Sequence, residues 1–162
     1  MNAKTWLILG ATLAALAVAC GAFGAHFLPD YYDLIDAKPS LRASGLQWWE
    51  TAARYQMYQA LGMLAAGLLA MRTKSILPHL AGLAMFFGTL IFSGCLDAMA
   101  LSGILVLGAI VPIGGLLMIL GWVLLAVAAA RMESEPASPA TSSAPPPEQE
   151  TPSSPAPDDP PA

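Results

Sequence analysis

Charge is missing from four long stretches of this chain. Residues 5–29, 55–71, 75–96 and 98–130 contain no Lys, Arg, Asp or Glu. The charges fall between them, at Lys4, within 30–54, at Arg72 and Lys74, at Asp97, and from Arg131 onward. A helix needs about 20 apolar residues to cross roughly 30 Å of hydrocarbon, so the pattern reads as membrane spans separated by loops. Only 11% of the residues are charged and 56% are hydrophobic, whereas a soluble domain carries about 25% charge.

The sequence predicts an all-α fold, an integral membrane bundle of four transmembrane helices with a disordered Pro-rich C-terminal tail. The expected spans are about 5–28, 52–71, 79–101 and 104–130, within a domain of residues 1–131. The second is the least apolar, because Tyr55, Gln56, Tyr58 and Gln59 occupy its first turns. The fourth is over-long; either Pro112 kinks it or a tilt absorbs the excess. Ser102-Gly103 is the expected break of a tight hairpin between the last two spans. Segment 41–51 should lie along the membrane surface or lengthen the second helix. Lys4 followed by an apolar run and "AVAC" resembles a signal peptide, but the run continues past Cys20 to Leu28, which argues against cleavage. Residues 132–162 carry ten prolines and six of the eleven acids. Such a segment cannot bury enough apolar surface to offset its ordering entropy.

Lys4, Arg72, Lys74 and Arg131 share one side of a four-span topology; Lys38, Arg42 and Arg54 share the other. The bias favours a bacterial inner (cell) membrane protein with both termini cytoplasmic. No basic stripe could neutralise phosphates, so nucleic acid is not an expected partner. Cys20 and Cys95 sit inside apolar runs as small hydrophobes.

Gly10, Ala14, Ala17, Gly21 and Gly24 follow one another at helical steps of four and three. Such a stripe lets helices approach closely in lipid, and Gly88 offers the same on the third span. Thr89, Ser93 and Asp97 fall on one line of that span, and a polar line usually faces a bundle interior. At 1.5 Å rise per residue, His26 lies about 3 Å from the end of its span, Asp97 about 6 Å, and Gln56 and Gln59 about 6–10 Å. Equal depth suggests one polar cluster of His26, Tyr55, Gln56, Gln59, Ser93 and Asp97.

"GAFGAH" (21–26), "WETAARYQMYQAL" (49–61), "LIFSGCLDAMAL" (90–101) and "VPIGGLLMILGW" (111–122), in this order, resemble the domain-of-unknown-function family 423. These are small bacterial membrane proteins of the YgdD and YwdK type. The resemblance covers about residues 1–131 and implies a four-helix integral membrane protein with no established activity. This chain has Gln59 where the family typically has histidine, Val111 where threonine is frequent, and Asp97 where tyrosine is common.

The expected function is a structural or accessory membrane component, not an enzyme, with no cofactor and no metal or catalytic residues assigned. Its expected surroundings are the lipid bilayer and a homo-oligomer or membrane-complex partner. The alternative is an oligomeric small-solute or proton-linked transporter or channel, with His26 and Asp97 as titrating groups.

Overall fold

The computed structural model describes residues 2–132, and these are helical throughout apart from short connections. The elements are α1 (Ala3–His26), α2 (Leu28–Leu34), α3 (Pro39–Arg72), α4 (Leu77–Ser102), a 3₁₀ turn (Leu105–Ala109) and α5 (Val111–Ala130). The proline-rich tail expected after residue 131 lies outside the described residues, save Met132.

Local chemistry sets the ends. Asn2 caps α1, its side-chain oxygen accepting from the Lys4 N–H. Proline occupies the first turn of α2, α3, α4 and α5, where its missing N–H has no intrahelical partner to lose. Helix α2 closes with Asp36 at φ +49°. The Ala37 N–H reaches back to Tyr32 O and the Asp36 N–H to Asp33 O, the bonding pattern of a Schellman cap. Gly103, at φ +71°, ends α4 and donates its N–H to Met99 O at 2.8 Å.

Two expectations fail here. Pro112 does not kink a long helix; it sits in the first turn of α5, where proline is well tolerated. The surplus length of 104–130 is taken up instead by the 3₁₀ turn, so the hairpin break extends well beyond Ser102-Gly103. Of the two alternatives for segment 41–51, the structure has it lengthen the second helix, which begins at Pro39 and with 34 residues is about 51 Å long.

The four long helices form an antiparallel row in chain order. Gly24, Gly10 and Leu7 of α1 meet Trp49, Ala60 and Gly67 of α3 in turn. Ala52 and Gly62 of α3 meet Ser93 and Met85 of α4. Gly88 of α4 meets Gly114 of α5, and Ala81 meets Gly121. Numbers rise along one helix as they fall along its neighbour. Helices α1 and α5 do not touch each other. Helix α3 is therefore covered on two sides. Gly45, Trp49, Ala52, Gln56, Gln59, Met63 and Ala66 are buried at steps of four and three. Ala53, Ala60 and Gly67 add a second buried row.

Among the described residues, three helices, not four, are long and apolar enough to cross a membrane by length and composition: Ala3–His26, Leu77–Ser102 and the run Leu105–Ala130. Helix α3 is set apart by the tyrosines, glutamines and Arg54 in its central turns.

Gly21 departs from the expected small-residue seam. A side chain built there would meet nothing within 4 Å. A heptad-spaced subset of the stripe turns toward α3. Gly10 lies against the Ala60 carbonyl, Ala17 is buried, and Gly24 lies under the Trp49 indole. Ala14 is half-buried and Gly21 exposed.

Candidate functional site

Glycine creates the slots that hold the row together at its ends. A Cβ at Gly24 would lie 2.4 Å from the Trp49 ring. The indole fills that space and donates its Nε1–H to Cys20 O at 2.7 Å. At the other end, a Cβ at Gly82 would meet the Trp6 ring at 2.7 Å. Trp6 is fully buried and donates its Nε1–H to Nδ1 of His79 at 2.9 Å. The third slot is Gly45, where a Cβ would sit 2.0 Å from the Tyr32 hydroxyl. That hydroxyl crosses α3 and donates to Ala100 O at 2.8 Å, while Tyr31 donates to Leu101 O at 3.0 Å. Both acceptors belong to the last turn of α4, whose carbonyls have no helical donor. Burial pushes the Tyr32 phenol above its ordinary range, with the neighbouring Tyr31 adding to the effect. Each slot thus pairs a flat apolar ring with a polar tip that finds a partner.

The polar residues expected to form one cluster are divided by this geometry. Gln56, Thr89, Ser93 and Asp97 line one cleft of about 210 Å³, with Leu13 of α1 and Phe86 and Leu90 of α4 as apolar walls. Gln56 is the contribution of α3. Ser93 donates its hydroxyl proton to Ala52 O at 3.0 Å, and Thr89 donates to Met85 O at 2.8 Å. Gln56 donates from Nε2 to Leu13 O at 3.4 Å. Oδ1 of Asp97 is sealed from solvent without a hydrogen-bond partner. An ionisable side chain at such depth is rare without a task or a partner.

Tyr55 and Gln59 line a different cleft, of about 460 Å³, on the side of α5. Phe92, Met118 and Trp122 complete its walls. Gln59 is buried and its Oε1 has no hydrogen-bond partner. His26 belongs to neither cleft: it is exposed at the end of α1 and forms no ion pair with Asp97. Adjacent residues of a helix point about 100° apart, so Tyr55 and Gln56 face opposite neighbours despite their equal depth. The histidine engaged in packing is His79. Its link to Trp6, like the Tyr32–Gly45 slot, joins positions far apart in the chain and has no local spacing to reveal it.

Among the described residues, no three His, Cys, Asp or Glu side chains converge as a metal set would. The charged pairs are exposed, one between α2 and the first turn of α3 and one near the middle of α3. Arg42 makes a bidentate contact with Asp33, and Arg54 pairs with Glu50 one turn away. The Arg42 guanidinium holds the Asp33 carboxyl below the usual carboxylate range by hydrogen bonding and charge.

A family described as "Protein of unknown function (DUF423)" matches residues 20–115. That span takes in α2, α3, α4, two of the glycine slots and both clefts' α3 and α4 walls. The chain is 47% identical over 125 residues to a UPF0382 membrane protein of Staphylococcus epidermidis, covering 77% of this chain and 94% of that one. It is 41% identical over 133 residues to the UPF0382 membrane protein YwdK of Bacillus subtilis, covering 79% and 98%. No solved structure matches. Helices suited to a bilayer, packed through glycine slots, and close likeness to membrane proteins along most of their length lead to one conclusion: the chain is a small membrane protein that belongs to the DUF423 family.

Proposed function

We propose that the protein is a structural or accessory component of the bacterial cell membrane, crossing it four times with both termini cytoplasmic, and that it is not an enzyme. The observation that carries the reading is what the intramembrane polar groups are engaged in. The Ser93 hydroxyl, the Gln56 amide and the Trp49 and Trp6 indoles all donate to acceptors on a neighbouring helix, while Thr89 bonds back to Met85 O within α4. Polar contacts of this type hold helices together where water is absent.

Helix α3 is the proposed fourth span. Its polar residues include Gln56 and Gln59, both buried between its neighbours rather than turned to lipid. Low apolarity is therefore compatible with crossing. Its length exceeds the roughly 30 Å of hydrocarbon, leaving its first turns outside. The open row supports a homo-oligomer or a membrane-complex partner, since α1 and α5 do not close on each other. The Lys and Arg placement supports the orientation.

Purification in mild detergent through a C-terminal tag tests the function. A stable co-purifying complex is expected. A clean homo-oligomer that drives solute uptake into liposomes would sink the accessory reading. Reporter fusions after Lys74 and after Arg131 should both read cytoplasmic, and one within 30–47 external. An external reading at Arg131 would rule out the four-span topology.

A second reading, an oligomeric transporter or channel, is favoured by one observation, the sealed and unpartnered Oδ1 of Asp97. Solute- or proton-dependent flux in liposomes that is lost in Asp97→Asn would establish it.

A further inference from the structure

The larger cleft, on the α5 side of α3, is built around a single amide. Gln59 lines it with Tyr55 and Tyr58 of α3, Phe92 of α4 and Trp122 of α5. These side chains converge. Tyr55 and Gln59 share one face of α3, a turn apart. The Phe92 ring lies 5.1 Å from the Tyr55 ring, and the Tyr58 ring 5.7 Å from it. Trp122 stands at the level of Gly62, where a Cβ would meet its ring at 3.1 Å. The rings thus bracket Gln59 within seven residues of α3, about 10 Å. Three features define what fits between them. First, no charged side chain among the described residues lines the groove, so it suits a neutral guest; an ion would be buried unpaired. Second, Gln59 is 3% exposed and its Oε1 has no hydrogen-bond partner. The last torsion of a glutamine is broad and two-fold, so this side chain can offer the groove either an N–H donor or a C=O acceptor. Third, Gly115 keeps the groove open. A Cβ there would touch only the Phe92 ring, at 3.8 Å, whereas a Cβ on the adjacent Gly114 would meet the Phe92 backbone nitrogen at 2.6 Å. Helix packing therefore demands Gly114 and not Gly115.

We propose that this groove binds the ring of a lipid-soluble 1,4-quinone or its quinol, with Gln59 hydrogen-bonded to a ring oxygen and the apolar tail lying out in the bilayer. Aromatic side chains favour a flat ring in offset or edge contact. A quinone oxygen accepts from the amide N–H, and a quinol hydroxyl donates to the amide carbonyl, so one residue serves both forms. The volume of about 460 Å³ falls within the roughly 300–1,000 Å³ of small-molecule sites. Tyr55, Tyr58 and Trp122 are each partly exposed, so the groove opens sideways and a guest enters from the lipid. Depth separates this guest from a phospholipid. Gln59 lies five residues beyond Arg54 and thirteen short of Arg72, about 8 Å and about 20 Å along the helix. A phospholipid brings only hydrocarbon to that depth, and an acyl chain leaves the amide unpaired. The site goes beyond the accessory reading and does not depend on it. It rests on α3 crossing the bilayer, which the reporter fusions test separately.

Photolabelling tests the site. The full-length protein in phosphatidylcholine nanodiscs is irradiated with an azido-1,4-benzoquinone that bears a decyl tail, and adducts are located by mass spectrometry. Labelling should saturate and fall within 55–59 or 115–122. Decylubiquinone should displace it; decane, the tail without the ring, should not. Gly115→Leu should fill the groove and abolish saturable labelling in a protein that still folds. Gln59→Leu should raise the half-labelling concentration about fivefold, the net worth of one hydrogen bond. The same variant should raise the unfolding midpoint of the probe-free protein, because an unpaired buried amide is gone. Should Gly115→Leu not fold, Gln59→Leu decides, and an unchanged half-labelling concentration would overturn the proposal. Labelling that does not saturate, or that survives Gly115→Leu, would also overturn it. Equal displacement by decane would assign the groove to acyl chains instead. Labelling seen only after dilution to the monomer would overturn the proposal too, by assigning the groove to a second copy of the chain.

Discussion

Trp6 donates its indole N–H to Nδ1 of His79 at 2.9 Å, joining the first turns of α1 and α4. The bond fixes the imidazole as the tautomer with its proton on Nε2, because Nδ1 must offer a lone pair. It also requires Gly82, since the indole occupies the space where a Cβ would stand.

Gly82→Ala should therefore destabilise the bundle by about 1–3 kcal/mol, the usual cost of overpacking. Gly21→Ala meets nothing within 4 Å and should stay within about 0.5 kcal/mol of wild type. Thermal unfolding in detergent, followed by helical circular dichroism, compares the two. Equal midpoints would show that the indole can leave its slot freely.

A second comparison separates spacing from contact. The whole stripe of α1 would make Gly21→Leu the harmful change. The structure reverses the order: Gly21 faces open space, while Leu7 packs where a Cβ on Gly67 would meet it at 2.8 Å. Leu7→Ala should lower stability by about 1–3 kcal/mol, less than a fully buried leucine because Leu7 is only half-buried. Gly21→Leu should change it little. Unfolding in detergent with the opposite ranking would restore Gly21 to the helix seam.

These cases show what was legible in the chain. Charge spacing located the apolar helices α1, α4 and α5, since uncharged runs of that length have few stable alternatives, but it missed α2 and the first turns of α3, which fall in the charged stretch 30–54. The i, i+4, i+8 spacing of Thr89, Ser93 and Asp97 placed them on one line, and all three line one cleft. Depth alone could not place the other members of the cluster. Rotation about the helix axis sends Tyr55 and Gln59 to the α5 side, and that rotation is decided by which neighbour each face packs against. Pro112 was misread because its effect depends on whether it falls inside a helix or in its first turn. The glycine slots depend on rings supplied from distant positions, Trp49 over Gly24 and Tyr32 over Gly45, and helical periodicity carries no trace of them.

At the connection between α1 and α3, Asp33 and Arg42 form a solvent-exposed pair. Arg42 lowers the Asp33 pKa. A carboxyl with a depressed folded-state pKa stabilises the fold above its unfolded value, and the contribution is lost as pH falls through the folded value. The window is thus below the ordinary aspartate value of about 3.9. Asp33→Asn should flatten the acid limb of the stability–pH curve there, and added salt should weaken the wild-type effect because the pair is exposed. Acid unfolding curves of the two proteins at low and high salt provide the check; superimposed acid limbs would show that the pair does not contribute.

The opposite limb belongs to Tyr32. Its hydroxyl must keep its proton to donate to Ala100 O, and burial raises its pKa. A raised folded-state pKa gives stability that is complete below the unfolded value, about 10 for tyrosine, and is lost as pH rises through the folded value. Tyr32→Phe should cost about 1 kcal/mol at neutral pH, the net worth of a typical hydrogen bond plus the carbonyl left without a donor. Its stability should also fall less steeply than wild type above about pH 10. Gly45→Ala presses a Cβ onto the same hydroxyl, and should cost about 1–3 kcal/mol at neutral pH. Hydrogen exchange at the end of α4 reads the local consequence: both variants should speed exchange near Ala100 and leave the Trp6–His79 end unchanged. Equal acceleration at both ends would mean that the Tyr32 contact has only a global effect, and that α2 is not the clasp on the last turn of α4.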